Sequence, residues 1–139
     1  MTFSDWLVAL HVLSAIIVIA SLTMLWTLII ATRPSAPLIG EESARSFGRV
    51  GGPLVGVGMM GAVIFGVWLA IDDDAYQVWD GWILASLILW AFAGAMGARG
   101  GQAFEKDPVG GRAAGIRYQA ITSLAILAIL LLMIWKPGA

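Results

Sequence analysis

A single histidine, His11, stands in this sequence, five residues inside an uncharged run that opens at Trp6. At 1.5 Å per helical residue that depth is roughly 7–8 Å, and an ionisable group so placed is a functional-site candidate. Neutral imidazole ligates haem or a metal, or hydrogen-bonds a quinone. The plainer expectation is a ring bonded to a neighbouring carbonyl or to Ser14. At equal depth the other apolar runs offer Gly66, Ala85 or Ser86, and Leu130. None is a ligand, although Gly66 leaves room beside the ring, so a second haem ligand would come from another chain.

Other chemistry-bearing patterns are weaker. Asp72, Asp73, Asp74 and Asp80 carry the oxygens a hard cation prefers, but without the spaced ligands and glycine of a calcium loop. They read as a solvated acidic turn. Gly56-Val57-Gly58-Met59-Met60-Gly61 has dinucleotide-fingerprint spacing, which needs a preceding strand and a water-facing helix start. Here it lies in the middle of an apolar run and is a coincidence. No Asp or Glu falls inside any run, so proton-coupled exchange lacks its carboxylate. The absence of cysteine removes disulfides, thiolate metal sites and thiol catalysis. The sequence therefore offers no catalytic set and no metal centre, and the expected protein is not an enzyme.

The elements that carry these residues follow from composition. Of 139 residues, 60% are hydrophobic and 12% charged, about half the charged fraction of a soluble domain. Spans are expected at about 6–31, 50–71, 81–98 and 118–135, each meeting the roughly 17–25 residues that cross a bilayer as a helix. The fold class is all-α, a four-transmembrane-helix antiparallel bundle in one domain, residues 1–139. The first span follows a start without Lys or Arg and is too long for a signal core, so it is a retained helix. A net charge of −1 gives no case for nucleic acid, and the partner is the lipid bilayer.

Arg33, Arg45 and Arg49 lie between the first two spans, and Arg99, Lys106, Arg112 and Arg117 between the last two; Lys136 alone lies elsewhere. The positive-inside rule places both Arg-bearing loops in the cytoplasm and both termini outside. Trp6, Trp68, Tyr76, Trp79, Trp82 and Trp135 then form an outer aromatic belt, with Trp26 and Trp90 deeper. In the first cytoplasmic loop, Glu41, Glu42 and Arg45 predict a short helix that ends at Gly48 and Gly51-Gly52-Pro53. The second loop, broken by Gly100-Gly101, Pro108 and Gly110-Gly111, is expected to be irregular. The two hairpins also read as weak parallel repeats, with Trp26 and Arg33 matching Trp90 and Arg99.

Small residues mark the packing faces. On the second span Gly51, Gly58, Gly61, Ala62 and Gly66 share one face at 100° per residue, and Gly48, Gly52 and Gly56 line an adjoining one. Small residues at this spacing let backbones approach in lipid. Gly52, Gly56, Gly58, Gly61, Ala62 and Gly66 are the expected helix-packing set, and two such faces predict a central helix. The third span repeats the device with Ala91, Gly94, Ala95 and Ala98; the fourth, Leu- and Ile-rich from Leu124 to Ile134, is expected to face lipid.

Trp6-Leu7 with Leu10-His11-Val12-Leu13-Ser14-Ala15, Arg49 to Pro53 opening a Gly-rich helix, Trp79 and Trp82, and Leu89-Trp90 before small residues resemble a known family. It is the bacterial predicted integral membrane proteins grouped as domain of unknown function 2269. The resemblance implies a four-helix protein of the bacterial cytoplasmic (inner) membrane with unassigned activity. The Leu-His-Val start is also similar to four-helix haem-associated protoporphyrinogen oxidases and copper-resistance membrane proteins, which add further histidines or charges in their spans; this chain keeps only His11. Gly110-Gly111 to Arg117-Tyr118 is similar to a fluoride-channel signature, but those channels carry it near the first helix and depend on a membrane asparagine, which this chain lacks. The expected function is a non-enzymatic scaffold, accessory subunit or assembly factor in a homo-oligomer or larger membrane complex. The alternatives are an electron-transfer helper binding haem b or a quinone at His11, and an oligomeric passive channel.

Overall fold

The computed structural model describes residues 2–72, 77, 79–106 and 110–137. Four helices follow in order: α1 Phe3–Ala31, α2 Glu41–Asp72, α3 Gly81–Lys106 and α4 Arg112–Trp135, with no strand among the described residues. All four are long and apolar enough to cross a membrane, so the chain is a multi-pass all-α bundle, as expected. Tyr76, Asp73 and Asp74 lie outside the described residues.

The helices form a ring in chain order. α1 touches α2 and α4, α3 touches α2 and α4, and the diagonal pairs do not meet. The expectation of a central α2 is therefore corrected: each helix has two neighbours. Val18, Leu22, Met59, Ala93 and Ala125 fill the middle. Large side chains such as Ile16, Ile64, Ile88 and Leu131 are exposed around the outside, as a lipid-facing wall requires. On α4, Leu124, Leu127, Leu131 and Ile134 are exposed, as its composition predicts, while Gln119, Thr122 and Ala125 turn inward.

The helices are longer than the spans at the Arg-rich end. α2 begins at Glu41 and runs unbroken through Gly48, Gly51, Gly52 and Pro53, so the expected short helix is its first turns. A Cβ on Gly51 would come 3.2 Å from Leu25 Cδ2, so packing against α1 offsets the helix cost of that glycine. Pro53 removes one ladder bond, the one to the Arg49 carbonyl. α3 likewise continues through Gly100-Gly101 to Lys106, and α4 starts at Arg112. The second loop is thus largely helical, because its two sides pack on each other. Phe104 lies over Gly115, and a Cβ on Gly100 would stand 3.1 Å from the Tyr118 Cβ. Pro108 lies outside the described residues.

At the end shared by the termini, Thr2 and Asp5 form a capping box on α1, and Ser4 Oγ donates to Asp72 at 2.6 Å. Phe3 meets the Trp68 ring edge-on at 5.6 Å. Asp80 begins α3, its carbonyl accepting from the Ile83 and Leu84 amides. At the close of α4, the Lys136 ammonium stands 5.8 Å above the Trp82 ring.

Side-chain hydrogen bonds span the seam between the hairpins. The Trp26 indole donates to Ser123 Oγ at 3.0 Å, from α1 to α4. The Trp90 indole donates to the Met59 carbonyl at 2.9 Å, from α3 to α2. The shift along the chain that turns Trp26 into Trp90 also turns Met59 into Ser123, so the two bonds are related as a two-fold would relate them. The likeness stops at hairpin packing: the same shift carries Gly51 onto Gly115 and Leu25 onto Leu89, but Gly115 lies under Phe104.

At the Arg-rich end the Arg112 guanidinium donates to the Ile29 carbonyl and to the Thr32 carbonyl and hydroxyl. It satisfies orphan acceptors at the α1 C-terminus and sets a positive charge against the negative end of that helix. Replacing Arg112 with Gln should lower stability in micelles by about 1–3 kcal/mol, the usual worth of hydrogen bonds from a charged donor. Unfolding midpoints in mixed SDS micelles measure this, and an unchanged midpoint would contradict the clamp.

Candidate functional site: His11 and the glycine faces of α2

Where α1 and α2 face each other, the missing Cβ atoms decide the distance. A Cβ on Gly58 would come within 2.8 Å of Val18 Cγ2 and 3.0 Å of the Val18 backbone nitrogen. On Gly61 it would lie 2.5 Å from Ser14 Oγ, and on Gly66 2.8 Å from His11 Cε1. The pairs Gly51–Leu25, Gly58–Val18, Gly61–Ser14 and Gly66–His11 thus fix one antiparallel register. The inward glycine face expected from sequence is this interface.

His11 completes it. Its Nδ1 lies 2.8 Å from the Ala62 carbonyl, reached through the space above Gly66. A carbonyl only accepts, so Nδ1 carries a proton, and in the neutral tautomer this bond selects the lone pair is on Nε2. The ring is half-buried. Of the two roles raised by the sequence, the carbonyl bond is occupied, and Ser14 instead donates to the Leu10 carbonyl at 2.8 Å. A donor bond at Nδ1 is also the arrangement that orients a metal-ligating imidazole. No group of three His, Asp or Glu side chains placed to hold a metal occurs among the described residues.

Ala62 thus contributes its carbonyl. Gly52 and Gly56 belong elsewhere: with Gly48 they have no atom of the described residues within 4 Å of a Cβ position, and both are exposed. At 100° per residue Gly48 and Gly52 lie within about 20° of Met59, whose side chain points into the core. Their face therefore turns towards the α3 side of α2. Across the seam Gly101 of α3 is equally open, whereas Gly94 meets the Met59 Cε at 3.8 Å. α2 and α3 meet at Met59, and the glycines Gly48, Gly52 and Gly101 nearer the Arg-rich end have no neighbour within 4 Å of a Cβ position among the described residues.

The expected small face of α3 is corrected. Ala91, Ala95 and Ala98 are exposed, and Ala93, Gly97 and Gly100 pack on α4 instead. Thr122, almost fully buried, bonds the Tyr118 carbonyl at 2.9 Å and approaches that of Ala93 at 3.5 Å. Sequence reasoning passed over Ala93-Gly97-Gly100-Phe104, whose spacing marks one face, and Gln119, the one side-chain amide in any span. Gln119 is buried, and its Nε2 lacks a hydrogen-bond partner among the described residues.

No family model matches the chain, and neither does any curated protein or solved structure.

Gly58→Ala must push α1 away and should destabilise the protein by about 1–3 kcal/mol. Gly56→Ala meets open space and should be neutral or stabilising by up to about 1 kcal/mol through helix propensity. Unfolding of both variants in micelles checks this; equal effects would contradict the division of the faces.

Proposed function

We propose that this protein is a small non-enzymatic scaffold or accessory subunit that receives a further membrane helix on the open α2 face of Gly48, Gly52 and Gly56. The observation that carries the reading is the open space over these three glycines, four residues apart, of which Gly52 and Gly56 are exposed and Gly48 half-buried, beside α2's own filled glycine face. In lipid, helices associate by close packing rather than by hydrophobic transfer, and such a face lets a backbone approach. We place the protein in a bacterial inner membrane with the Arg-rich end cytoplasmic and both termini outside, on the strength of the basic residues. Membership of the family it resembles belongs to the same proposal and rests on the apolar motifs of α1 and α3.

A second reading is favoured by the His11 tautomer. With Nδ1 held by Ala62, Nε2 is the nitrogen that haem iron or a quinone would meet. A Soret band, or a co-purified quinone, that disappears in His11→Ala would support it; preparations containing neither would remove it.

Extraction in a gentle detergent should give a particle heavier than the 14.7 kDa chain alone. Gly52→Leu/Gly56→Leu should reduce it to the single folded chain, as read by light scattering during size-exclusion chromatography. A wild-type protein that already runs as a lone chain would contradict the proposal.

A further inference from the structure

The helix register sorts the basic residues by depth. From the Trp90–Met59 bond, Arg49 lies ten residues towards the Arg-rich end on α2 and Arg99 lies nine on α3. On the other side of α3, Gly100 packs on Tyr118, so their chain neighbours Arg99 and Arg117 share a level. Three consecutive helices of the ring thus carry one arginine each at a common depth, within about one turn of 5.4 Å. Arg45, Lys106 and Arg112 lie about one to two turns further out.

The depth matches a phosphate plane. From Trp82 to Arg99 along α3 is about 26 Å at 1.5 Å per residue, close to the ~30 Å of a hydrocarbon core. Arg49, Arg99 and Arg117 are all exposed, and none makes a hydrogen bond or ion pair among the described residues. Arg112 is the contrast: its guanidinium is engaged by the end of α1. Val50 and Leu54, one and five residues from Arg49 towards the middle of α2, are exposed apolar side chains where acyl chains begin.

We propose that Arg49, Arg99 and Arg117 form a collar that binds the phosphates of anionic phospholipids and selects those lipids for the ring of annular contacts at this end. A guanidinium presents a planar fork that pairs two phosphate oxygens at once. A basic residue beside an anionic surface contributes roughly a fivefold preference, and three acting together give about 100-fold. The inference rests on the register and not on the proposed helix docking, so either can fail alone.

The test uses the full chain in vesicles of equal phosphatidylglycerol and phosphatidylcholine, released for native mass spectrometry. Wild-type protein should retain phosphatidylglycerol at least tenfold over phosphatidylcholine, and Arg49→Gln/Arg99→Gln/Arg117→Gln should lose that preference. Lys136→Gln, at the opposite end, should keep it. The triple Lys variant should fall between, since charge remains while the fork is lost. Added salt should weaken the wild-type preference, as it screens exposed charges. Wild-type protein with no lipid preference, or a folded triple Gln variant that keeps it, would overturn the proposal. If the triple variant does not fold, each single Gln variant should lose part of the preference, and three unchanged single variants would overturn it equally.

Discussion

The close approach of α1 to α2, permitted by Gly58, Gly61 and Gly66, is the constraint on which the other features depend. At Gly58 a Cβ would reach a backbone atom of α1, so no rearrangement of side chains alone could accommodate one. That contact fixes the register of the first hairpin. It seats His11 over Gly66 within reach of the Ala62 carbonyl and sets Ser14 against Gly61. It also uses up one small-residue face of α2, which leaves the Gly48, Gly52 and Gly56 face without a neighbour within 4 Å of a Cβ position among the described residues.

Between the hairpins a different physics operates. Lipid tails are as apolar as leucine, so burying leucine supplies little drive, and association rests on packing and polar bonds. The seam has both: a small apolar core around Met59 and Ala93, and polar ties that include those from Trp26, Trp90 and Arg112. Buried hydroxyls do not compete for these ties. Ser14, Ser21, Ser86 and Thr122 each return a hydrogen bond to the carbonyl four residues back, so α1, α3 and α4 carry them without leaving a donor unmet. The ties sit at different depths, with Arg112 at the Arg-rich end and Trp90 nearer the middle. Even so, the glycines of α2 and α3 beyond Met59 stay open, and that is the face on which the scaffold reading depends.

Much of the fold was legible because hydropathy and glycine spacing report directly on a lipid environment. The four spans and the inward face of α2 follow from those patterns, and Gly66 beside His11 follows from equal depth. What escaped was non-local. Gly100-Gly101 reads as a break in isolation, and becomes helix because Tyr118 and Phe104 pack across that hairpin. The α3 face was misassigned because Ala91-Gly94-Ala95-Ala98 and Ala93-Gly97-Gly100 have similar spacing; which one meets α4 depends on how the hairpin turns. Arg112 read as one of several cytoplasmic charges. Its role requires knowing that α4 starts beside the end of α1. The side of α2 left open was likewise a property of the ring, not of the helix.

The most direct test of the central contact is a solid-state NMR distance measurement in bilayers between the His11 Nδ1 and the Ala62 carbonyl. His11 is the sole histidine, so a nitrogen label there is unambiguous. Strong dephasing by the Ala62 carbonyl carbon, with a protonated Nδ1, is the predicted result for an N···O separation of 2.8 Å. No dephasing, or a ring protonated at Nε2 alone, would show that α1 does not lie in the glycine face of α2 as described.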